Sequence, residues 1–390
     1  MSTQIGVGLS DFSDGARSGA DAASAALATL KEPPTLALLF TSHSQPKQVL
    51  KGVRSVLGDI ALLGTTTGGQ YSHAGYVEDG VGIMLIGGED LRFYPQVHRR
   101  RWFGRQPLLT PLKGIAPEGL GGQFRHRALM LFPDDQSMNL DDVVARAMTE
   151  TGMLYDILGG PALTLPKPPR PPAIFYSGTV FKSGMSASEV LSRSPIGMAL
   201  GNGWTPISGP YRVTSSEARR VRTIDGRPSR EVYEDFFEEH QLNPDADQLS
   251  ALLLNHPIGI CEQSDCKVSV AMGFDPTDAL MVTSAPPVGS LIHILGAEPL
   301  SMVTAAKRAI QQALTRIRPQ APAGALFIDC VSTGMVLDKA YANQRQAVHE
   351  TLGDVPFLGF RSHGVLARLE GQTAGHYECT VGAWVFPTST

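Results

Sequence analysis

The chain is 390 residues long, 42% hydrophobic and 18% charged, with a formal net charge of −4 at pH 7. That composition suits a globular protein of two or three domains at roughly 150 residues each, and the negative balance disfavours generic nucleic-acid binding. No apolar run approaches the ~18 residues needed to cross a bilayer, and Met1-Ser2-Thr3-Gln4 has no basic segment ahead of an apolar core, so the expectation is a cytoplasmic protein with neither membrane nor nucleic acid as partner.

Residues 5–9 carry a strand pattern, and Ser13 or Asp14 supplies a cap for a helix running to about residue 30 on alanine and leucine. Glu32-Pro33-Pro34 stops it. A strand at 36–40, a helix over 45–57 and a strand at 60–63 then lead into Gly64-Thr65-Thr66-Thr67-Gly68-Gly69, with a further apolar run at 81–86. This β-α-β-α-β order favours a parallel or mixed sheet covered by helices.

The middle of the chain changes character. His98-Arg99-Arg100-Arg101-Trp102-Phe103-Gly104-Arg105 is strongly basic and reads as a solvated loop. Residues 128–132, 139–152 and Ile157-Leu158-Gly159-Gly160 are a weaker echo of the N-terminal strand, helix and glycine step. The proline-rich stretch 165–172 reads as an extended, polyproline-like connector, unsuited to a helix or a central strand. Residues 173–178 and 197–201 look like strands of a β-rich section, which Pro206, Gly209 and Pro210 then punctuate. Residues 212–227 read as a hairpin closed by Asp225-Gly226, and 229–239 as a helix with an acidic face.

The strand–helix order returns at 291–295, 301–317, 325–328, 337–352 and 356–358, followed by an apolar run at 381–386. Leu57-Gly58-Asp59, Gly64 and Gly69 recur at identical spacing as Leu352-Gly353-Asp354, Gly359 and Gly364. Fixed internal spacing marks a duplicated supersecondary unit. The expected fold class is therefore α/β with α+β character in the middle: two related β-α-β-α-β halves with mixed sheets and an internal pseudo-duplication. A boundary near 219–223 divides the chain into domains 1–220 and 221–390, with the 165–172 connector inside the first.

Familiar catalytic signatures do not match. Gly64-x4-Gly69 is followed by Gln70 where a phosphate loop needs Lys and then Ser or Thr. There is no dinucleotide fingerprint after a strand, no Gly-x-Ser-x-Gly elbow and no His-Glu-x-x-His. Cys261, Cys266, Cys330 and Cys379 are too few and scattered for a disulfide framework in a chain this long. Cys261-x4-Cys266 lacks the second pair that structural zinc requires, and Cys330 and Cys379 read as small core residues. No catalytic residue and no metal ligand set is assigned, and the residues name no cofactor.

The two glycine-bracketed loops remain, each beyond the carboxyl end of a strand, where open α/β sheets bind ligands. Glycine lets a backbone approach a guest closely. Gly64, Thr65, Thr66, Thr67, Gly68 and Gly69 form one loop; Gly359, Arg361, Ser362, His363 and Gly364 form the other. The alternative is a pair of tight turns whose hydroxyls satisfy local backbone groups. Among the histidines, His256 precedes Pro257 and reads as structural, while His293 alternates with Leu291 and Leu295 and is assigned to their buried face. His363, inside the repeated loop, and His376, entering the last strand, are the histidines best placed to touch a ligand.

The loop 64–69, the Leu158-Gly159-Gly160 step with Phe175-Tyr176-Ser177-Gly178-Thr179-Val180-Phe181, and Gly201-Asn202-Gly203-Trp204-Thr205-Pro206 with Val213-Thr214 together resemble the FIST sensory domain. His256-Pro257, Ala325-Leu326-Phe327 with Cys330, Gly359-Phe360 with Gly364, and His376 with Thr380 resemble its companion FIST C domain. The resemblance implies a sensor of small molecules such as amino acids, without enzymatic activity. It adds Gly159, Gly160, Ser177 and Thr179 to the candidate ligand-binding residues. With no output module in the chain, it implies action through a separate partner such as a histidine kinase or a cyclic-dinucleotide signalling protein. A subset of stand-alone bacterial members resembles haem-bound nitric-oxide sensors, which gives the alternative of non-covalent haem b ligated by His363 or His376. A further alternative is a cysteine-dependent enzyme, with Cys330 or Cys379 as nucleophile beside one of those histidines. One departure stands out: the family commonly follows its second glycine with Glu and an aliphatic residue, whereas here Gln70-Tyr71 and Val365-Leu366 follow.

Overall fold

The computed structural model describes residues 2–99, 107–110, 112–115, 122–166, 169–243, 245, 247–262 and 265–388. Residues 100–105 of the basic cluster and 167–168 of the connector lie outside them. The weak third echo proves to be a third unit with the same strand order, so the repeat seen as two copies is a triplication, although among the described residues no α-helix joins the first two strands of this middle unit.

In the first unit, strand Gln4–Ser10 precedes helix Gly15–Ala28, strand Pro34–Thr41, helix Pro46–Leu57 and strand Ala61–Thr66. A hairpin of Gln70–Ser72 and Gly75–Val77 and the closing strand Val81–Gly87 complete it. The second unit repeats this with Leu91–His98, His126–Pro133, helix Leu140–Glu150, Asp156–Gly159, a hairpin of Ile174–Tyr176 and Thr179–Phe181, and Met185–Ser192. The third opens at Gly197–Gly201 and resumes with helix Pro299–Arg316, strand Pro322–Cys330, helices Val331–Leu337 and Tyr341–Leu352, and strand Phe357–Ser362. Its hairpin is Val365–Arg368 with Gly375–Tyr377, and Val381–Pro387 closes it.

Local chemistry explains the helices. Asp14 caps the first, its Oδ1 accepting from Arg17 N at 2.7 Å, and Asn139 caps the helix of the second unit by accepting from Asp142 N at 3.0 Å. In each unit the second and third strands are parallel and the closing strand lies antiparallel between the first and second. The hairpins are exchanged in a ring. That of the second unit extends the first sheet, that of the third extends the second sheet, and that of the first extends the third sheet.

The register is the same in all three. Leu39 faces Gly64, Leu131 faces Gly159 and Phe327 faces Gly359 across the parallel pairs, and those glycines face Phe175, Leu366 and Tyr71 of the incoming hairpins. Gly64 has φ of +147° and a Cβ there would lie 1.8 Å from Leu39 O. At Gly359 a Cβ would meet the Tyr71 ring at 2.3 Å. Only glycine fits either place.

The inner faces of the three sheets share one core. Phe40 stacks on Phe360 with ring centroids 3.9 Å apart and meets Phe132 edge-on at 5.4 Å, one ring from each unit. Each fully buried side chain of this size contributes about 1.5–3 kcal/mol. Helices cover the outer faces.

A further sheet, running in space from Asp265–Ser269 through Ile258–Glu262, Leu291–Gly296, Thr205–Glu217, Arg220–Ile224 and Leu280–Val282 to Ala271–Phe274, is inserted after the first strand of the third unit. Helices Ser229–Glu239 and Leu249–Asn255 pack on it through Tyr233, Phe236, Phe237 and Leu253.

Several sequence expectations are corrected here. The strand at 291–295 belongs to the inserted sheet and not to the C-terminal repeat; Gly197–Gly201 fills that role, pairing with Val381–Pro387. Ile292 and Ile294 point into the core of the inserted sheet, while of the face assigned to His293 Leu295 is fully buried in another cluster and Leu291 is 51% exposed, which leaves His293 half-buried. Pro206, Gly209 and Pro210 do not end a strand: Thr205–Glu217 absorbs them at register shifts, where a missing N–H disturbs the ladder least. The 165–172 stretch contains a small antiparallel pair, Leu165 opposite Arg170 and Pro166 opposite Pro169. Cys261 and Cys266 are cross-strand neighbours joined as a disulfide. Among the described residues no helix is long and apolar enough to cross a membrane.

Candidate functional site

The glycine loops predicted from sequence do meet. Gly68 N donates to Arg361 O at 2.8 Å and Arg361 N to Gly69 O at 3.0 Å, so the two copies are hydrogen-bonded to one another. Gly160 lies beside them, its missing Cβ 3.0 Å from Phe360 and Ser362 Oγ. Yet the hydroxyls face protein. Thr65 Oγ1 donates to Ala173 O at 3.3 Å and Thr66 Oγ1 to Leu163 O at 3.2 Å, Thr67 Oγ1 pairs with the Gln70 amide, and Ser362 Oγ donates to Gly364 O. All four side chains are at most 4% exposed. Gln70 is fully buried and meets Ser42 N at 3.1 Å and Gly80 O at 3.3 Å when its oxygen faces the former. An amide suits that mixed donor and acceptor environment, whereas a carboxylate would face Gly80 O, which already accepts from Thr41 Oγ1 at 2.7 Å and Ser42 N at 3.1 Å, with no proton to give. Ser177 and Thr179 sit at a hairpin turn beside Leu62, at the opposite end of the strand from this cluster.

An open space begins where this cluster ends. A cavity of about 300 Å³ lies between the loop entering helix Leu140–Glu150, the third unit's hairpin and two turns of the inserted sheet. Asp135, Asp141, Arg219, His363, His376 and Glu378 give it its chemistry. His363 Nδ1 is 3.3 Å from Asp135 Oδ2, and the 5%-exposed His376 directs Nε2 to His363 O at 2.7 Å. Asp141 joins three parts of the molecule: Lys267 Nζ at 2.6 Å and Ser284 Oγ at 2.8 Å from the inserted sheet, and His376 N at 3.0 Å from the third unit. Glu378 accepts from Val270 N at 2.7 Å and from Thr283 Oγ1. Arg219 Nε donates to Thr283 O at 3.0 Å.

Electrostatics separates the two histidines. Burial alone would lower His363, but the Asp135 and Glu378 carboxylates outweigh it and raise its pKa. Burial dominates at His376 and lowers its pKa, so that ring favours the neutral form. Burial also opposes charge on Asp141, yet Lys267 and the donors around it hold its pKa below the usual carboxylate range.

Haem does not fit this arrangement. An imidazole must be neutral to ligate iron, whereas His363 is drawn toward its charged form and His376 already directs Nε2 at a carbonyl. The walls carry three carboxylates and a guanidinium in place of an apolar slot. Among the described residues no group of three or more His, Cys, Asp or Glu side chains is arranged to hold a metal ion. Cys330 and Cys379 are fully buried, and burial raises both thiol pKa values, the reverse of what activates a nucleophile.

Asp135, Asp141, Arg219 and Glu378 escaped the sequence reading because they are far apart in the chain and each is brought in by a different segment. The Asp134-Asp135 pair directly after an apolar strand was the available signal.

The chain is thus a triplicated α/β body with a polar cavity between its second unit, its third unit and the inserted sheet. The chain belongs to the FIST family, matching the FIST N domain over residues 35–227 and the FIST C domain over 230–368. Domains of this family serve in sensing and signal transduction and are thought to bind small ligands. An uncharacterized protein of Mycobacterium tuberculosis is 22% identical over 387 residues, covering 96% of this chain and 97% of that protein. One from Mycobacterium bovis is 23% identical over 181 residues, covering 45% and 46% respectively. Among solved structures, phosphoribosylformylglycinamidine synthase II of Thermotoga maritima aligns at a TM-score of 0.23 and 10% identity, over 99% of this chain and 72% of that one.

Proposed function

We propose that this protein is a non-catalytic sensor of a small zwitterionic metabolite of amino-acid type, held in the cavity between Asp135, Arg219, His363 and Glu378. The supporting observation is that the cavity walls come from the second unit, the third unit and the inserted sheet, none adjacent in sequence. Arg219 and protonated His363 match a ligand carboxylate; Asp135 and Glu378 match an ammonium group. The ligand acts by preferring one docking of the inserted sheet, because a guest shifts an equilibrium only as far as its affinity differs between the two states. The readout then passes to a separate signalling partner, a histidine kinase or a cyclic-dinucleotide protein, that binds the displaced surface.

The test is a thermal-shift screen of amino acids and related metabolites on the full chain, followed by hydrogen–deuterium exchange with each hit. Ligand-dependent protection at 135–141, 218–219, 283–284 and 363–378 is expected. Protection confined to other regions, or no hit that Arg219→Gln weakens, refutes the assignment.

A further inference from the structure

The ring of exchanged hairpins makes three comparable joints, and the cavity above occupies one of them. There, Gly159 faces Leu366, whose hairpin partner is His376. At the joint between the third sheet and the first unit's hairpin, Gly359 faces Tyr71, whose partner is Tyr76. Tyr76 thus stands where His376 stands. At the remaining joint, Gly64 faces Phe175, whose partner is Val180, an apolar pair.

The Tyr76 joint contains an unusual concentration of unsatisfied polar atoms. Tyr71 OH, Gln344 Oε1, Arg345 Nε and Arg361 Nε are buried without a hydrogen-bond partner, and beside them lie buried Asp329 and Tyr341, whose hydroxyl bonds that carboxyl. Asp329 and Gln344 are 0% exposed, Tyr71 2% and Tyr341 7%. The groups are neighbours. Gln344 Nε2 donates to Asp329 Oδ2 at 2.9 Å, Arg361 lies over the Tyr341 ring at 4.9 Å, and Arg345 lies 5.4 Å from that ring and 4.3 Å from Tyr76. Tyr71 feels the charges of Asp329, Arg345 and Arg361. Native proteins leave few such groups unpaired, since each costs about 1–3 kcal/mol. Four together call for an occupant.

We infer that this cluster is a second ligand site, for a small oxyanion that carries a hydroxyl group. The sign follows from two guanidinium groups beside one carboxyl group, an excess of buried positive charge that an anion neutralises. The hydroxyl follows from the inventory: Tyr71 OH, Arg345 Nε and Arg361 Nε offer donors to the anionic oxygens, while Gln344 Oε1 offers an acceptor to a ligand O–H. Asp329 does not cancel the guanidiniums fully, because burial pushes its pKa up to about 6. Hydrogen phosphate and a 2-hydroxycarboxylate both present this chemistry. The site lies apart from the first cavity, and the inference does not depend on what that cavity binds.

Titration calorimetry on the full chain in a buffer free of oxyanions tests it with four probes: inorganic phosphate, glycolate, acetate and chloride. Saturable binding at one site per chain is expected for phosphate or glycolate, with acetate weaker and chloride silent. Binding of phosphate alone identifies an inorganic source, and of glycolate alone an organic acid. Tyr71→Phe keeps the ring and Arg345→Gln provides a second variant should the first fail to fold. Either should weaken binding about tenfold or more by removing a donor to an anion, while Arg219→Gln in the first cavity leaves it unchanged. No saturable heat with any probe, or binding that both variants retain in full, overturns the inference.

Discussion

Replacing Asp329 by Asn should stabilise this protein, and by an amount that grows with pH. The carboxyl is fully buried, and burial raises its pKa from 3.8 to about 6 against the opposing pull of Tyr341, Arg361 and Gln344. Tyr71 and Cys379 also feel its charge. A folded-state value above the unfolded one means that the native protein holds the proton more tightly. The associated stability is present below 3.8 and is lost as pH rises through about 6. At ~1.4 kcal/mol per unit, the raised value lowers stability by about 2 kcal/mol at pH 5, where the unfolded chain ionises and the fold does not, and by about 3 kcal/mol at pH 8, where both ionise. Asparagine escapes that cost and keeps an oxygen for the Gln344 Nε2 bond. Urea denaturation of both forms at pH 5 and pH 8, in oxyanion-free buffer, should show the advantage of Asp329→Asn widening by about 1 kcal/mol. A constant difference, or one that narrows toward pH 8, would refute the description of Asp329 as a reluctant buried acid.

Three other outcomes follow from the same coordinates. Gly64→Ala places a methyl 1.8 Å from Leu39 O at φ of +147°, whereas Gly226→Ala, at φ of +78°, meets open space; the first should cost more than about 3 kcal/mol and the second about 1, read from paired denaturation curves. Glu378→Ala removes the acceptor of Val270 N and Thr283 Oγ1. It should destabilise by about 1.5–3 kcal/mol and raise amide exchange selectively in the inserted sheet; uniform exchange would mean that Glu378 does not fasten that sheet. For His363, whose pKa is raised by Asp135 and Glu378 over the opposing effect of burial, the stabilising charge is present below pH 6.5 and is lost as pH climbs past the raised folded value. His363→Gln should therefore destabilise more at pH 6 than at pH 8.5, and equal losses would remove the pairing with Asp135.

Much of this fold is legible in sequence wherever the signal is local. Asp14 as a cap, helix Ser229–Glu239, the turn at Asp225-Gly226 and the glycine spacing all emerge as read, because capping, turn geometry and close backbone approach act within a few residues. The family assignment follows from those same motifs. What the sequence conceals is who pairs with whom. The exchanged hairpins have strands of three or four residues, too short for a periodic pattern, and each finds its partner in another unit. The misplaced strand at 291–295 fails for the same reason, since alternation reveals faces but not neighbours. Thr65, Thr66 and Thr67 show a further limit: hydroxyls beside glycines look alike whether they line a pocket or lace two loops together, and here they bond Ala173, Leu163 and Gln70.

The hairpin exchange also explains why ligand chemistry gathers at the joints. Each joint is made by a glycine step with no side chain of its own, so the incoming hairpin supplies the side chain that fills the gap: Phe175, Leu366 or Tyr71. The residue opposite it on the hairpin, Val180, His376 or Tyr76, is then free to vary without disturbing the parallel strands. One backbone geometry has thus yielded an apolar joint, a histidine-and-carboxylate joint and a guanidinium-and-tyrosine joint. Because each hairpin belongs to one unit and completes the sheet of another, a ligand at a joint acts on two units at once. A guest beside His376 touches the inserted sheet as well, through Asp141 to Lys267 and Glu378 to Val270. On the proposed reading, occupancy of that joint bears on the inserted sheet, while the polar cluster beside Tyr76 lies where the hairpin of the first unit meets the strands of the third.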